Sequence, residues 1–311
     1  MLFLVKMKAS VIIPTLNGGE LLVQVARALV MQDFKYKWEV VIIDSDSVDD
    51  STENVSKIFS DSKIPHKIIR IKSNEFQHGA SRNLAISQAA GEIVCLLTQD
   101  SIPVNSQWLK EITKCFFEDE NICGVFGRHI AHKGHPKLIS RDLSRHFDYM
   151  NTQKVRFINN QETYDRDTSL RQFLHFFSNN NSAIRRKAWE EIPFPEVDFG
   201  EDQVWAKLIL EEGGFLAYED SAQVRHSHVY GFKKSIERVK TEIKFYKQHF
   251  GYDLSKPKIN FFSNVVKGLI KDFIWLCNDK SLSHKEIFFS IKSHNSYNIV
   301  CCFVNLNNQQ L

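Results

Sequence analysis

Three short segments carry acidic residues at positions that suggest catalytic chemistry. They are VVIIDSDSVDDS (residues 40–51), VCLLTQDS (94–101) and FGEDQVW (199–205). In the first two, an apolar run ends abruptly in carboxylates, which is typical of a buried strand that delivers an acidic group to the edge of a parallel sheet, where ligands bind. This placement predicts a metal-assisted enzyme that acts on a charged nucleotide.

The earliest acid of these segments, Asp44, follows four apolar residues. A carboxylate at the carboxyl edge of a sheet can accept the N3 proton of a uracil or thymine ring, and the same aspartate is equally consistent with a helix cap. Before it, IIPTLN (residues 12–17) ends a strand and is followed by two glycines. This segment predicts a sharp turn with free backbone groups, although an ordinary turn between a strand and a helix would look the same.

The segment HGASRN (residues 78–83) opens a predicted helix, with Gly79 permitting close backbone approach and Arg82 in the first turn. A helix N-terminus with an arginine is suited to a diphosphate, and a surface arginine on an amphipathic helix is the alternative.

One helix later, Asp100 follows a strand-like run. A carboxylate there can hold Mg²⁺ or Mn²⁺ while the diphosphate supplies further ligands.

Two further groups of residues have a chemical and a structural interpretation. The acid pair of GEDQVWA begins a helix, where acidic side chains also stabilise the helix dipole by ~0.3 to 1 kcal/mol. His226 and His228, in VRHSHVY, lie two residues apart on a predicted strand and therefore face the same side. They are compatible with a metal or phosphate contact, and packing or solvent exposure is the alternative.

The elements that must position these residues follow from the hydrophobic pattern of the first 130 residues. Strand-like runs at 11–14, 40–44, 67–71, 93–97 and 124–129 alternate with helical segments at 20–31, 52–59, 79–90 and 107–117. This alternation predicts an α/β fold with a mainly parallel central sheet and helices on both faces. From 131 to about 170 the periodicity disappears, which predicts a long functional loop.

Composition excludes several classes of protein. The 311 residues carry a net charge of only +3 with dispersed basic residues, so nucleic acid is not an expected partner. Six cysteines without a CxxC pair indicate a reducing, cytoplasmic location. No stretch reaches the ~18 uninterrupted apolar residues of a membrane span.

The segment 256–280 combines an apolar helical stripe with five lysines and two aspartates. Such a composition suits a helix that lies in an anionic membrane interface, and we predict peripheral docking on the cytoplasmic face of the inner membrane. Packing on the rest of the chain, or on a second subunit in a homodimer, is the alternative.

Taken in order, IIPTLN, VVIIDSDSVDDS, HGASRN, LLTQDS, NNNSAIRR and GEDQVW resemble the successive motifs of glycosyltransferase family 2, over roughly residues 9–250. These are inverting enzymes with the GT-A nucleotide-diphospho-sugar transferase fold. TQD with HSHVY is most similar to the rhamnosyltransferases of bacterial surface polysaccharide (O-antigen type) assembly. The resemblance implies a GT-A catalytic domain over 1–254, with its donor half to about 130 and its acceptor half at about 131–254, and a helical extension over 255–311.

The resemblance also implies roles for individual residues. Asp202 matches the catalytic base of the family's ED motif, and Asn181, Glu201 and Trp205 are the expected acceptor contacts. Asp100 matches the second acid of the DxD metal motif and would hold Mg²⁺ or Mn²⁺, with His226 or His228 as a further ligand. The expected donor-binding residues are Pro14, Thr15, Leu16, Asn17, Asp44, Ser47, Asp49, Gly79, Arg82, Gln99 and Asp100.

The chain departs from the family pattern at Thr98, which stands where the first aspartate of DxD is expected. Loss of that carboxylate weakens the case for a metal and favours a deoxyribose donor, which lacks the 2′-hydroxyl. The expected reaction is therefore an inverting transfer of L-rhamnose from dTDP-L-rhamnose to a glycan or a lipid-diphosphate-linked sugar. A UDP-hexose donor, or a non-catalytic GT-A domain that binds nucleotide-sugar, is the alternative.

Overall fold

The computed structural model describes residues 7–252, 261–280, 282–287 and 290. Its centre is a β-sheet whose strands, in chain order, are β1 (Ala9–Thr15), β2 (Trp38–Asp44), β3 (His66–Arg70), β4 (Ile93–Leu97), β5 (Ile102–Pro103), β6 (Ile122–Ile130), β7 (Val155–Arg156), β8 (Asn181–Arg185) and β9 (Phe215–Arg225). Across the sheet the order is β3-β2-β1-β4-β8-β6-β9-β5, and β7 also pairs with β9.

The principal α-helices of the described residues are α1 (Gly19–Val30), α2 (Ser51–Asp61), α3 (His78–Ser87), α4 (Trp108–Glu118), α5 (Lys137–Met150), α6 (Gln161–Arg166), α7 (Thr168–His175), α8 (Arg186–Glu191), α9 (Glu201–Glu211), α10 (Phe232–Phe250) and α11 (Phe261–Asn278). The prediction of a loop over 131–170 is therefore wrong. Charged side chains dominate α5 and conceal its apolar positions, of which Leu138, Phe147 and Met150 are buried.

The predicted α/β fold is confirmed, with helices on both faces of the sheet. One face of β1 and β2 packs into a hydrophobic core with α1, α2 and α4, while α3 packs on the same two strands with buried Ala85 and Ile86. The sheet is mixed, because β8 runs antiparallel between β4 and β6. The chain enters β8 at the edge where β4 ends, with Asn181 opposite Leu97, and must therefore run the other way.

The parallel register of the first strands gathers the polar loop residues at one edge. Thr15 at the end of β1 lies opposite Asp44 at the end of β2, and Asp44 lies opposite Arg70 in β3. Strand β4 pairs with the other side of β1, with Leu96 opposite Ile12. The loops that follow β1, β2 and β4 consequently leave the sheet side by side.

The described chain forms two compact units. The first contains the sheet and comprises the described residues up to Ile130 together with Phe147–His226; the second comprises Ala131–His146 and the described residues from Ser227 onward. Within the second unit, Arg141 of α5 forms a 2.8 Å ion pair with Asp272 of α11 and lies 5.1 Å from the ring centroid of Trp275. No helix among the described residues is long and apolar enough to cross a bilayer.

Asn181 holds a bend in the sheet where the register of β6 and β9 shifts between Gly127 and Arg128. Its Nδ2 donates to the carbonyl oxygens of Ala222 (2.7 Å) and Arg128 (3.1 Å), and its Oδ1 accepts from Trp108 Nε1 (2.8 Å). Gly127 permits this approach, since a Cβ there would lie 2.1 Å from the Ala222 oxygen. The fully buried amide therefore joins α4, β6, β8 and β9.

We expect Asn181→Ala to lower the free energy of unfolding by about 2–4 kcal/mol, because three buried polar partners lose their hydrogen bonds. Chemical denaturation measures this loss. Asn121→Ala, at an exposed position in the turn before β6, is the matched control and should change stability by less than about 0.5 kcal/mol. Equal stability of the two variants would show that the buried amide does not hold the bend.

Candidate active site

Gln99 joins the loop after β4 to the loop after β1. Its Oε1 accepts hydrogen bonds from Thr15 Oγ1 and from the backbone nitrogen of Leu16, both at 2.8 Å. Pro14 and Thr15 are buried, whereas the side chain of Leu16 is exposed. Among these predicted donor-binding residues, Leu16 therefore presents an apolar surface to solvent, while Gln99 fixes the backbone that carries it.

Asn17 joins the loop after β1 to the loop after β2. Its backbone nitrogen donates to Ser47 Oγ and its Oδ1 accepts from the backbone nitrogen of Val48, both at 2.8 Å. Asn17 has a φ of 49°, which few residues other than glycine and asparagine adopt readily. The sequence reasoning placed Asn17 and Ser47 at the donor, and the structure brings them into direct contact.

Two predicted donor-binding aspartates, Asp44 at the end of β2 and Asp49 in the loop that follows, are engaged in hydrogen bonds within the protein. Asp44 is buried, and its Oδ1 accepts from the backbone nitrogen of Ser47 at 3.1 Å. Asp49 accepts from Ser51 Oγ at 2.5 Å and from the backbone nitrogen of Gly19 at 2.9 Å. The hydrogen bond from Ser51 is the largest effect that lowers the pKa of Asp49, which keeps its carboxylate ionised.

A buried ion pair joins α3 to α9. Arg82 Nη1 lies 2.7 Å from Glu201 Oε1, and the two residues are only 2% and 4% exposed. Arg82 pairs with Glu201 through Nη1 in this structure, and its predicted contact with the diphosphate stays a prediction. The close backbone approach expected at Gly79 is made to Pro195, whose carbonyl oxygen would lie 2.1 Å from a Cβ at that glycine. The segment HGASRN therefore contacts the segment that carries Glu201 and Asp202 and holds it in place.

Asp202, the predicted base, follows Glu201 in the first turn of α9. Its Oδ2 accepts from the backbone nitrogen of Asn179 at 3.0 Å, and its Oδ1 accepts from that of Gln203 at 2.9 Å. Burial among protein atoms and the neighbouring Glu201 raise the pKa of Asp202 to about 7, against the opposing effects of the Asn179 amide and Arg82. A carboxylate with such a pKa can accept a proton near neutral pH.

Asn179 is the residue that the sequence reasoning missed. Besides the bond from its backbone to Asp202, its Nδ2 donates to Glu201 Oε1 at 3.1 Å, and Ser182 Oγ donates to its Oδ1 at 3.1 Å. It is 1% exposed. The run NNNS (residues 179–182) could have identified it, because the sequence reasoning selected Asn181 from this run and overlooked Asn179.

The structure does not support an acceptor contact at Asn181 or Trp205, because both side chains are fully buried. Trp205 packs 5.4 Å from Phe177 and 5.5 Å from Phe194 between ring centroids, and its Nε1 donates to the carbonyl of Ile192 at 2.7 Å. Glu201, the third predicted acceptor residue, is held by the ion pair described above.

Asp100 and His226 face each other, with 3.7 Å between Asp100 Oδ1 and His226 Nε2. A carboxylate oxygen and an imidazole nitrogen at this separation are a donor set that fits a divalent cation with additional ligands from a diphosphate. Thr98 Oγ1 shares a 2.7 Å hydrogen bond with Ser101 Oγ. His228 belongs to the second compact unit, so its predicted part in a metal site stays a prediction.

Comparison with known proteins identifies the class of enzyme. A family described as "Glycosyl transferase family 2" matches residues 10–192. The chain is also 33% identical, over 235 residues, to the O-antigen chain rhamnosyltransferase RfbN of Salmonella typhimurium, a match that covers 75% of this chain and 70% of the relative. The chain belongs to glycosyltransferase family 2, and it is a glycosyltransferase close to the O-antigen rhamnosyltransferases.

Solved structures confirm the GT-A fold. The mannosyltransferase of Pyrobaculum calidifontis in complex with GDP-Man and Mn²⁺ superimposes with a TM-score of 0.61 at 16% identity, covering 98% of this chain and 88% of that one. TarS 1-349 of Staphylococcus aureus in complex with UDP-GlcNAc superimposes with a TM-score of 0.56 at 17% identity, covering 98% and 92%. At such identities the likeness concerns the fold alone.

We expect the stability of Asp202→Asn relative to the wild type to rise by about 1–3 kcal/mol between pH 4 and pH 8, on top of a pH-independent loss from the backbone N–H that an asparagine cannot accept. The pKa of Asp202 rises from about 3.9 in the unfolded chain to about 7 in the folded protein, so the ionised carboxylate destabilises the fold. This destabilisation is absent at low pH, where the carboxyl group is protonated in both states, and it is complete above about pH 7. Thermal melts across this range measure the difference.

The matched control is Asp198→Asn, in the exposed loop before α9, which should show no such rise with pH. A difference between wild type and Asp202→Asn that stays constant from pH 4 to pH 8 would show that the pKa of Asp202 is ordinary.

Proposed function

We propose that the enzyme transfers L-rhamnose from dTDP-L-rhamnose to a glycan or a lipid-diphosphate-linked sugar in the assembly of a bacterial surface polysaccharide, with inversion at the anomeric carbon. The observation that carries this proposal is Asp202, a carboxylate with a raised pKa that Asn179 orients at the start of α9. Similarity to the Salmonella O-antigen chain rhamnosyltransferases supports the choice of rhamnose.

In the proposed reaction, Asp202 takes the proton of an acceptor hydroxyl while that oxygen attacks the anomeric carbon of the donor. The bond between this carbon and the diphosphate oxygen breaks, and the nucleoside diphosphate leaves with the electron pair. Asp202 must be deprotonated to act, so kcat/KM falls as the pH drops below about 7. The Arg82–Glu201 pair and Asn179 keep the carboxylate in place and do not take part in the bond changes.

Asp100 and His226 would hold the divalent cation that we propose for donor binding. When bound, such an ion neutralises charge on the leaving diphosphate. A donor set of one carboxylate and one imidazole favours Mn²⁺ over Mg²⁺, because imidazole suits transition metals and Mg²⁺ prefers oxygen ligands. The complex of the Pyrobaculum calidifontis mannosyltransferase with GDP-Man and Mn²⁺ shows that the same fold accepts this ion.

Thr98 supports the choice of a deoxyribose nucleotide. Its hydroxyl is engaged with Ser101, and it offers no carboxylate for the 2′-hydroxyl of a ribose. The competing proposal is a UDP-hexose donor, which the complex of TarS with UDP-GlcNAc favours. The two donors differ in the sugar and in the 2′-hydroxyl, so a donor panel separates them.

The test is an assay of donor consumption and transfer with dTDP-L-rhamnose, UDP-glucose, UDP-galactose and UDP-GlcNAc, with and without a lipid-diphosphate-linked sugar. We expect dTDP-L-rhamnose to be preferred, EDTA to abolish turnover, and Mn²⁺ to restore it. Asp202→Asn should bind the nucleotide normally and lower kcat by ~10² to 10⁴, with Asp198→Asn as the control. Turnover with a UDP-hexose alone would reverse the donor assignment, and binding without turnover would indicate a non-catalytic domain.

We propose in addition that α11 docks the enzyme on an anionic membrane. Its side chains Val266, Ile270, Phe273 and Ile274 follow helical spacing and are 52–53% exposed, and Lys267 and Lys271 are exposed beside them. Elsewhere on the helix, Leu276 is buried and Asp272 is paired with Arg141. The helix therefore has an anchored side and an apolar, lysine-flanked side, which suits insertion among anionic headgroups.

We expect the full chain to float with anionic vesicles, to float less at high salt, and to lose flotation in the variant Ile270→Glu. Met31→Glu, a charge at an exposed apolar position at the end of α1, should float like the wild type. If the wild type stays in solution with vesicles and Ile270→Glu converts a dimer into a monomer in sedimentation, the exposed side of α11 joins two copies of the chain and the membrane proposal is wrong.

A further inference from the structure

A cavity of about 300 Å³ lies in the first compact unit, where β7 leads into α6 and α7. Its floor and walls include Phe157, Ile158, Tyr164 and Leu174, and its mouth includes the exposed residues Asn159 and Asn160. This volume is at the lower end of the ~300 to 1,000 Å³ that small-molecule sites occupy. No part of the reaction described above uses this cavity.

The chemistry of its lining defines the class of ligand. All lining residues lie within the continuously described range 7–252, and none of them is an acid, a lysine, an arginine or a histidine. Such a lining has no cation for a phosphate and no carboxylate for a metal ion. Aromatic and aliphatic side chains below a rim of amides match a neutral molecule with one apolar face and several hydroxyls, which describes a pyranose sugar.

The walls of the cavity are fixed by contacts outside it. The ring of Phe157 stacks on Phe215, with 4.9 Å between centroids and 19° between planes. The hydroxyl of Tyr164 donates to Glu211 at 3.0 Å and shares a 2.7 Å hydrogen bond with His175 Nε2. Burial lowers the pKa of His175 to about 3, so this imidazole is neutral and can donate to Tyr164. The ring of Phe157 is thereby held in place for stacking on a sugar, while Tyr164, which is 3% exposed, forms part of the rigid lining.

The rim has hydrogen-bonding groups for hydroxyls. Asn160 caps α6 by accepting from the backbone nitrogen of Thr163 at 2.8 Å, and this bond uses its oxygen and leaves its amide hydrogens for a ligand. Asn159, next to it, is exposed and can both donate and accept. Neutral amides of this kind bind sugar hydroxyls without the desolvation cost of a charged side chain.

The cavity is remote from the proposed base. Asp202 lies in the first turn of α9, whereas Glu211, which holds Tyr164, is the last residue of the same helix. Nine residue steps at 1.5 Å each separate them by roughly 14 Å. A sugar in the cavity is therefore not the reacting sugar, and an oligosaccharide would be required to occupy both places.

We propose that this cavity binds a neutral sugar residue of the acceptor glycan, away from the hydroxyl that reacts. A 6-deoxyhexose fits best, because its methyl group can contact Ile158 and Leu174 where other hexoses would bury a hydroxymethyl group. Only the assignment of this sugar to the acceptor rests on the proposed function. The binding of a free sugar is independent of it.

Saturation-transfer NMR with the full chain tests the site directly, using methyl α-L-rhamnopyranoside and methyl α-D-mannopyranoside as probes. We expect millimolar binding that is stronger for the rhamnoside, weakened about 3-fold or more by Asn159→Ala and about 5-fold or more by Phe157→Leu. The controls are Asn74→Ala at an exposed position and Phe117→Leu, where the native ring stacks on Tyr36 outside the cavity. Absence of binding, or equal weakening in the controls, would overturn the proposal.

Kinetics then test the link to the acceptor. Asn159→Ala should raise KM for an oligosaccharide acceptor about 3-fold or more, and should leave KM for a monosaccharide acceptor and the rate of donor hydrolysis unchanged. Unchanged donor hydrolysis also shows that the variant is folded. Donor specificity other than dTDP-L-rhamnose would refute the proposed reaction and leave the sugar site standing, whereas an unchanged KM for the long acceptor would refute the acceptor assignment.

Discussion

The buried ion pair between Arg82 and Glu201 is the interaction on which the candidate site depends. Removal of one partner from such a pair leaves an uncompensated charge inside the protein and typically costs about 3–5 kcal/mol. Because the pair joins α3 to α9, it fixes the first turn of the helix that carries Asp202. It also sets the charge beside Asp202, since Glu201 raises the pKa of that carboxyl and Arg82 lowers it.

A few hydrogen bonds between loops also hold the predicted donor-binding residues in place. Gln99 and Asn17 bridge the loops that leave three adjacent strands, so the backbone around the expected nucleotide is fixed by side chains that come from those loops. A site whose loops are already in place loses little conformational entropy when a ligand binds. Asp44 and Asp49 stabilise this local structure through their hydrogen bonds, in addition to their predicted contact with the donor.

Local pattern predicted the α/β fold well, because buried strands and amphipathic helices differ in hydrophobic period. The resemblance to family 2, and not the hydrophobic pattern, suggested His226 or His228 as a further metal ligand beside Asp100, and the structure places Asp100 and His226 3.7 Å apart on the segments that follow β4 and β9. Local pattern could not predict the burial of Asn181 and Trp205, which depends on a bend in β6 and on aromatic packing between distant segments. Asn179 was missed for the same reason, because Asp202 and Glu201, the partners that tie it to the candidate site, lie more than twenty residues away.

Thr98 leaves the candidate metal site with one carboxylate fewer than the family motif provides. With Asp100 as the carboxylate beside a histidine, the proposed cation would meet one negative charge fewer than an acid at position 98 would provide. At an effective dielectric constant near 20, two unit charges 4 Å apart interact by about 4 kcal/mol and a divalent cation by about twice that, so the free cation would be held less strongly. A diphosphate, however, meets less repulsion by about the same amount. For the proposed cation, this balance would favour entry together with the nucleotide diphosphate over entry of the free ion.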